Sequence, residues 1–488
     1  MSSSLALAHG RRWWTLAVLS ITQLMVALDA TVISIALPRA QRDLHFSSGN
    51  RQWLITAYAL AFGSLLLVGG RLSDLWGRRV TLYIGLCGFA LASALGGDAH
   101  SFSVLVTARA LQGVFGALLA PAALAALTTT FEHPKERAKA FAIYGAIGGS
   151  GAAIGLLLGG ALTQWASWRW CLYVNLPLAG VALAGVALFV TSGKGERRTR
   201  LDVLGTVLAS GGLFFVVYGL GHAVTSSWSV EATWGSLITG GMLIALFVYW
   251  QQLSTHPLLP LRIVLDRTRA GSLVALFITS IGIFGITLFL AYYLQNTLGY
   301  SPLRTGVAFL PLVGALAFSA SLASARLLAK VGPRPLVPVG MVLGMLGMVL
   351  FTKLTLQADY LGNVMPGLVV TGLGLGLIFA PATASATAGV ARGDAGAASA
   401  LVNTSQQIGG SVGTALLNTI AVTVTTRVLL EKVPVGVATK SWSAHATLHG
   451  YAVAFWWAAG FFGVGAILTF ALLESGVPEL EGDAVPLL

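Results

Sequence analysis

Residues 70–80 read GRLSDLWGRRV and residues 325–335 read ARLLAKVGPRP. With Arg71 set on Arg326, Leu72 falls on Leu327, Gly77 on Gly332 and Arg79 on Arg334, all at one constant offset. A second echo sets Gly116, Ala120, Pro121 and Ala122 on Gly376, Ala380, Pro381 and Ala382. Either echo alone is weak. Together they indicate one structural unit used twice.

Apolar runs surround both copies. A bilayer core of roughly 30 Å needs about 20 helical residues, and windows of that length fit at approximately 13–37, 52–70, 79–98, 102–130, 137–163, 169–191, 203–222, 232–252, 270–297, 304–329, 335–354, 362–387, 398–427 and 449–474. The first echo follows the second and tenth windows, and the second lies inside the fourth and twelfth. The spacing therefore predicts an all-α membrane protein of 14 transmembrane helices arranged 6+2+6. Residues 1–192 form the first six-helix bundle, 193–268 carry two inserted helices with their linkers, and 269–488 form the second bundle with a short tail. Repeated halves around a midplane cavity are a transporter architecture.

Composition agrees. Hydrophobic residues make up 56% of the 488 and charged residues 9%, against roughly 25% charged in soluble domains, and mean hydropathy is +0.81. Such a surface needs lipid as its solvent. The net charge of +12 comes from Lys and Arg scattered between apolar runs, so anionic membrane lipids are the expected partner rather than nucleic acid. If the N-terminal side and every second loop are cytoplasmic, nineteen of the 29 basic residues lie inside and nine outside. Both termini are therefore expected in the cytoplasm. The apolar stretch after Arg11 and Arg12 reaches Leu37 and reads as a retained first helix, not a signal peptide. Cys87 and Cys171 lie in apolar runs and imply no disulfide framework.

Sorting charges by this topology leaves one acid, Asp29, and one base, Arg109, deep in the membrane. Asp29 lies eight residues before Leu37, and Arg109 seven after Phe102. At 1.5 Å per residue both sit roughly 11–12 Å below the outer surface. A lone charge there costs at least about 3 kcal/mol, so the two should pair in the bundle interior. Such a pair is either a fixed structural link or a proton switch, in which protonation of Asp29 releases Arg109 and biases the opening of the cavity.

Thr22, Met25 and Asp29 share one helical face, as do Arg109, Gln112, Gly113 and Gly116. These stripes are expected to line the cavity or to join helices. Tyr58, Tyr144, Phe284 and Tyr292 offer aromatic surface to a greasy substrate, and Asn403, Gln406 and Gln407 offer amides in a second half that buries no acid. In the 70–80 loop, Gly70 and Gly77 permit tight turning, Asp74 can accept from helix N-terminal amides, and Arg78 and Arg79 lie near lipid phosphates. The loop reads as a cytoplasmic gate latch or as a plain positive-inside turn. Gly151, Gly155 and Gly159 leave a groove for close helix approach, as a pivot or as fixed packing. No phosphate loop, HExxH or metal-spaced histidine cluster is present, so neither an enzyme nor a cofactor or metal is expected.

The loop GRLSDLWGRRV resembles the signature between helices 2 and 3 of the major facilitator superfamily at Gly70, Leu72, Asp74, Gly77, Arg78 and Arg79. LDATVISIALP at 28–38, RALQGVFGA at 109–117, WRWCLYVNLP at 168–177, YYLQNTLGYSPLRTGVAFLP at 292–311 and DAGAASALVNTSQQIGGSVGTAL at 394–416 look like its fourteen-helix drug:proton antiporter branch. The resemblance implies multidrug efflux across a bacterial inner membrane by alternating access, with Asp29 protonated and Arg109 its partner, in a chain read as a monomer. The helix 5 signature GxxxGPxxGG keeps Gly151, Gly155, Gly159 and Gly160 but has Leu156 for proline, a departure similar to a mycobacterial efflux and lipid-transport subgroup. A straighter helix 5 is expected.

Two transport readings follow: a proton-coupled exporter of hydrophobic or amphipathic drugs, or a lipid translocator with weak or no coupling. A non-transporting membrane sensor would need a cytoplasmic signalling domain, and the inner loops are too short for one.

Overall fold

The computed structural model describes residues 2–131, 134–190, 202–225, 230–254, 261–323, 327–388, 395–430 and 439–475. Every regular element among them is helical. In chain order these are α1 (Ser2–Leu44), α2 (Trp53–Trp76), α3 (Arg78–Gly97), α4 (Phe102–Thr130), α5 (Pro134–Trp165), α6 (Trp170–Tyr173), α7 (Asn175–Phe189), α8 (Val203–Thr225), α9 (Glu231–Leu253), α10 (Leu261–Leu265) and α11 (Arg267–Tyr292). They continue as α12 (Pro302–Ala308), α13 (Leu310–Leu322), α14 (Leu328–Val331), α15 (Pro333–Phe351), α16 (Met365–Thr387), α17 (Ala395–Leu430) and α18 (Thr439–Leu472). Eleven stretches of described helix are long and apolar enough to cross a membrane, and Trp53–Leu66, Ile154–Trp165 and Val203–Val216 are shorter apolar helices.

Two expected continuous spans are interrupted. The run at 169–191 breaks at Val174 between α6 and α7, and the run at 304–329 breaks at Phe309 between α12 and α13. Both breaks stand just ahead of a proline, Pro177 and Pro311. Proline has no amide to donate to the preceding turn, so a new helix starts there. One consequence is that Asn175 becomes the first residue of α7. Two π-helical turns, Tyr293–Thr297 and Tyr360–Val364, are further local departures. Helix α5 runs without internal proline, whereas Pro38, Pro121, Pro338 and Pro381 lie inside α1, α4, α15 and α16.

The chain divides into two compact units, Met1–Phe214 with Gly299–Val307, and Phe215–Leu298 with Ala308–Leu488. Within the first, α1 packs on α5, α7 and α4, α2 on α4, and α3 on α4 and α7. Within the second, α11 packs on α17, α18 and α16, α13 on α16, and α15 on α16 and α18. The two pairing schemes correspond helix for helix.

The turn echo carries the same correspondence down to the backbone. Gly77, between α2 and α3, has φ 86° and Gly332, between α14 and α15, has φ 72°. The arginine two residues on is anchored alike in each unit. Arg79 donates to the Ala187 carbonyl near the end of α7 at 2.8 Å, and Arg334 lies over Phe470 of α18 and donates to Ser475 just beyond it. A Cβ at either glycine is strained by about 1–3 kcal/mol. Gly77→Ala and Gly332→Ala should therefore each lower the thermal midpoint of the purified protein in detergent, and unchanged midpoints would remove the backbone explanation. The side chains of Arg71 and Asp74, and all of Arg326, lie outside the described residues.

Candidate functional site

Four elements of the first unit converge on Asp29 of α1. Arg109, in the second turn of α4, donates from Nη1 to Asp29 Oδ2 at 2.6 Å, and the two side chains are 1% and 0% exposed. Gln112, three residues further on the same face of α4, donates to Asp29 Oδ1 at 2.9 Å and accepts from Arg109 Nη1 at 2.9 Å. Asn175 of α7 donates to the same Oδ1 at 2.8 Å. Ser93 of α3 accepts from Gln112 at 2.7 Å and from Asn175 at 3.2 Å. From α2, the Leu54 carbonyl accepts from Arg109 Nε at 3.0 Å and the Tyr58 ring lies 4.5 Å from the guanidinium.

This arrangement answers the energetic problem of a buried charge. An isolated carboxylate in a dry interior is untenable, and an ion pair is tolerable there only when its remaining hydrogen-bonding capacity is met. Asp29 accepts from three donors, while Arg109 spends its own on a carboxylate, an amide and a main-chain carbonyl and stacks on an aromatic face. Protonation of Asp29 would remove the only negative charge in this cluster.

Other residues singled out in the sequence take different places. Thr22 and Met25 are buried on α1, and the Thr22 hydroxyl donates back to the Val18 carbonyl at 3.0 Å. Tyr58 belongs to the ion-pair cluster, stacked also on Phe62. Tyr144 of α5 donates to Gln23 at 2.9 Å. Gly151 faces Ala27, Gly155 faces Leu28 and Thr31, and Gly159 faces Val32, so the α5 groove seats α1 one turn either side of Asp29. Gly70 is not a turn glycine as the sequence suggests but lies inside α2, which runs on to Trp76, and it faces Pro121; Arg78 donates to Thr129 at the end of α4 at 2.6 Å.

In the second unit, Tyr292 is buried and Phe284 is half-buried against Gly410 of α17. Asn403, Gln406 and Gln407 are half-buried on α17, and Gln407 Oε1 is buried without a hydrogen-bond partner. Among the described residues no group of three or more His, Cys, Asp or Glu is placed to hold a metal.

Two members of the cluster, Ser93 and Asn175, escaped the sequence reading. Small polar residues in apolar runs are common helix glue, and Asn175 lies in a stretch quoted only for its resemblance. Its signal was present nonetheless, because residues 1–192 contain just two asparagines and the other, Asn50, precedes α2.

Residues 19–414 match the Major Facilitator Superfamily. The chain is 47% identical to the puromycin resistance protein pur8 of Streptomyces alboniger over 95% of its own length and 92% of that protein. It is 35% identical to the tetracenomycin C resistance and export protein of Streptomyces glaucescens over 84% and 76% of the respective lengths. In fold it is similar to a bacterial homologue of the human lysosomal transporter Spinster, with TM-score 0.64 at 15% identity, covering 95% of this chain and 99% of that one. The chain belongs to the Major Facilitator Superfamily and is a multi-pass membrane transporter, not an enzyme.

Proposed function

We propose that this protein is a secondary active exporter of hydrophobic or amphipathic small molecules that exchanges them for protons by alternating access, with Asp29 as the protonation site. The observation that carries the reading is the fully buried Asp29–Arg109 pair, an electrostatic balance that a single proton resets. Relatives named for resistance to puromycin and tetracenomycin C support an antibiotic-like substrate. The eleven spans and three shorter apolar helices support fourteen membrane helices as 6+2+6, with domains 1–192, 193–268 and 269–488. The excess of basic residues on one side supports two cytoplasmic termini in a bacterial plasma membrane, where anionic lipids contact a monomer.

Reconstituted vesicles test the coupling. With ethidium, a permanently charged aromatic cation, exchange of one cation for one proton is electroneutral, and one pH unit stores about 1.4 kcal/mol, a factor of ten. Ethidium should accumulate roughly tenfold on the acid side and puromycin should compete. Accumulation indifferent to the gradient would sink proton antiport.

A second reading, a lipid translocator with weak or no coupling, is favoured by one feature, Leu156 on an α5 without internal proline. Fluorescent phospholipid moved at a rate independent of the pH gradient would support it.

A further inference from the structure

The hydrogen-bond inventory around Asp29 closes with one acceptor vacant and one donor, the Ser93 hydroxyl, unused. Both amide hydrogens of Gln112 are used, on Asp29 and Ser93, and its carbonyl accepts from Arg109. Both amide hydrogens of Asn175 are used in the same way. Ser93 Oγ accepts from both amides, which leaves its own hydrogen available to an acceptor. The vacant group is Asn175 Oδ1, a buried oxygen without a hydrogen-bond partner on a residue that is 0% exposed.

This inventory suits an ionised Asp29, since every contact to the carboxylate is a donor. A protonated carboxyl brings an O–H of its own, which needs an acceptor where only donors stand. Among the side chains touching Asp29, only Asn175 holds an acceptor oxygen with no hydrogen bond at all, whereas Gln112 Oε1 is already held by Arg109, and a half-turn of the Asn175 amide exchanges the positions of Oδ1 and Nδ2. Resting on Asp29 as the proton site, we infer that Asn175 reads the protonation of Asp29 by turning its side-chain amide over. In the turned state Oδ1 accepts the carboxyl O–H, and the Ser93 hydroxyl, with nothing yet to donate to, gains the same oxygen as its acceptor.

Asn175 is thus a positioning residue. It holds the start of α7 to α1 in both protonation states, while Arg109 loses its counter-charge and is free to move. Among the described residues no ionisable group competes for this role. Arg109 of α4, Tyr58 of α2 and Cys171 of α6 are the ionisable side chains near Asp29 among the described residues. The guanidinium only donates, Tyr58 faces Arg109, and the Cys171 thiol is engaged by Thr163 and the Gly159 carbonyl of α5. The two polar or charged residues that face Asp29 from α4 are Arg109 and Gln112, both accounted for above.

Infrared difference spectra between alkaline and acid states of the full-length protein, grown with asparagine labelled with carbon-13 at the side-chain carbonyl, test the inference. The expected result is a label-sensitive asparagine carbonyl band that appears together with the protonated carboxyl band of Asp29. The carboxyl band is identified by its loss in Asp29→Asn, and the carbonyl band should vanish in Asn175→Ala and in the milder Asn175→Ser. An Asp29 carboxyl band with no labelled asparagine band, or with one that survives in either Asn175 variant, overturns the amide reversal and leaves Asp29 as the proton site. Absence of the carboxyl band overturns both.

Discussion

Asp29→Asn should reduce gradient-driven accumulation of ethidium from roughly tenfold per pH unit to no accumulation, while exchange of labelled for unlabelled ethidium across the same vesicles continues. The substitution keeps the shape of the side chain and one oxygen that can accept from Arg109, but it removes both the proton-accepting group and the charge that compensates Arg109, and sets an amide donor against those of Gln112 and Asn175, so folding is checked alongside transport. Net uphill transport needs proton exchange, whereas substrate-for-substrate exchange needs only a binding site and a conformational cycle. Loss of both activities with intact folding would assign Asp29 to substrate binding or packing. Retention of gradient-driven accumulation would remove it from coupling altogether.

Arg109→Met should have the second large effect, this time on the folded state. Removing one partner of a buried ion pair typically costs about 3–5 kcal/mol, and here the guanidinium also serves Gln112, the Leu54 carbonyl and the Tyr58 ring. Thermal unfolding in detergent should shift down strongly. The double variant with Asp29→Asn should be less unstable than the two single losses added together, by about 1–3 kcal/mol, because neither leaves the other charge uncompensated. Additive losses would show that the two residues contribute to folding independently.

The pair was legible in the sequence because membrane burial makes charge rare: once the loops are assigned, one acid and one base remain, and helical rise alone puts them level. Gln112 was legible as a neighbour one turn along the same face. Asn175 was not, because a lone small amide in an apolar run is as readily helix-to-helix glue as part of a charge cluster, and nothing local says which helix it meets. The duplicated turn was readable from two glycines and two arginines. What Arg79 and Arg334 hold was not, because their partners, the Ala187 carbonyl and the Phe470 ring with Ser475, lie far along the chain. The glycines of α5 marked a groove without naming its occupant. Ala27, Leu28, Thr31 and Val32 of α1 fill it, which ties the groove to the helix that carries Asp29.

The complete enclosure of Asp29 has a bearing on cellular economy. With no exposed surface and both oxygens already engaged, the carboxylate in the proposed cycle would offer no stepping stone for protons drifting down their gradient through an idle molecule. In the proposed cycle a cell can therefore keep many copies in its membrane without short-circuiting its own respiration. The corresponding sacrifice in that cycle is speed, since the enclosing helices would have to part before each proton could enter.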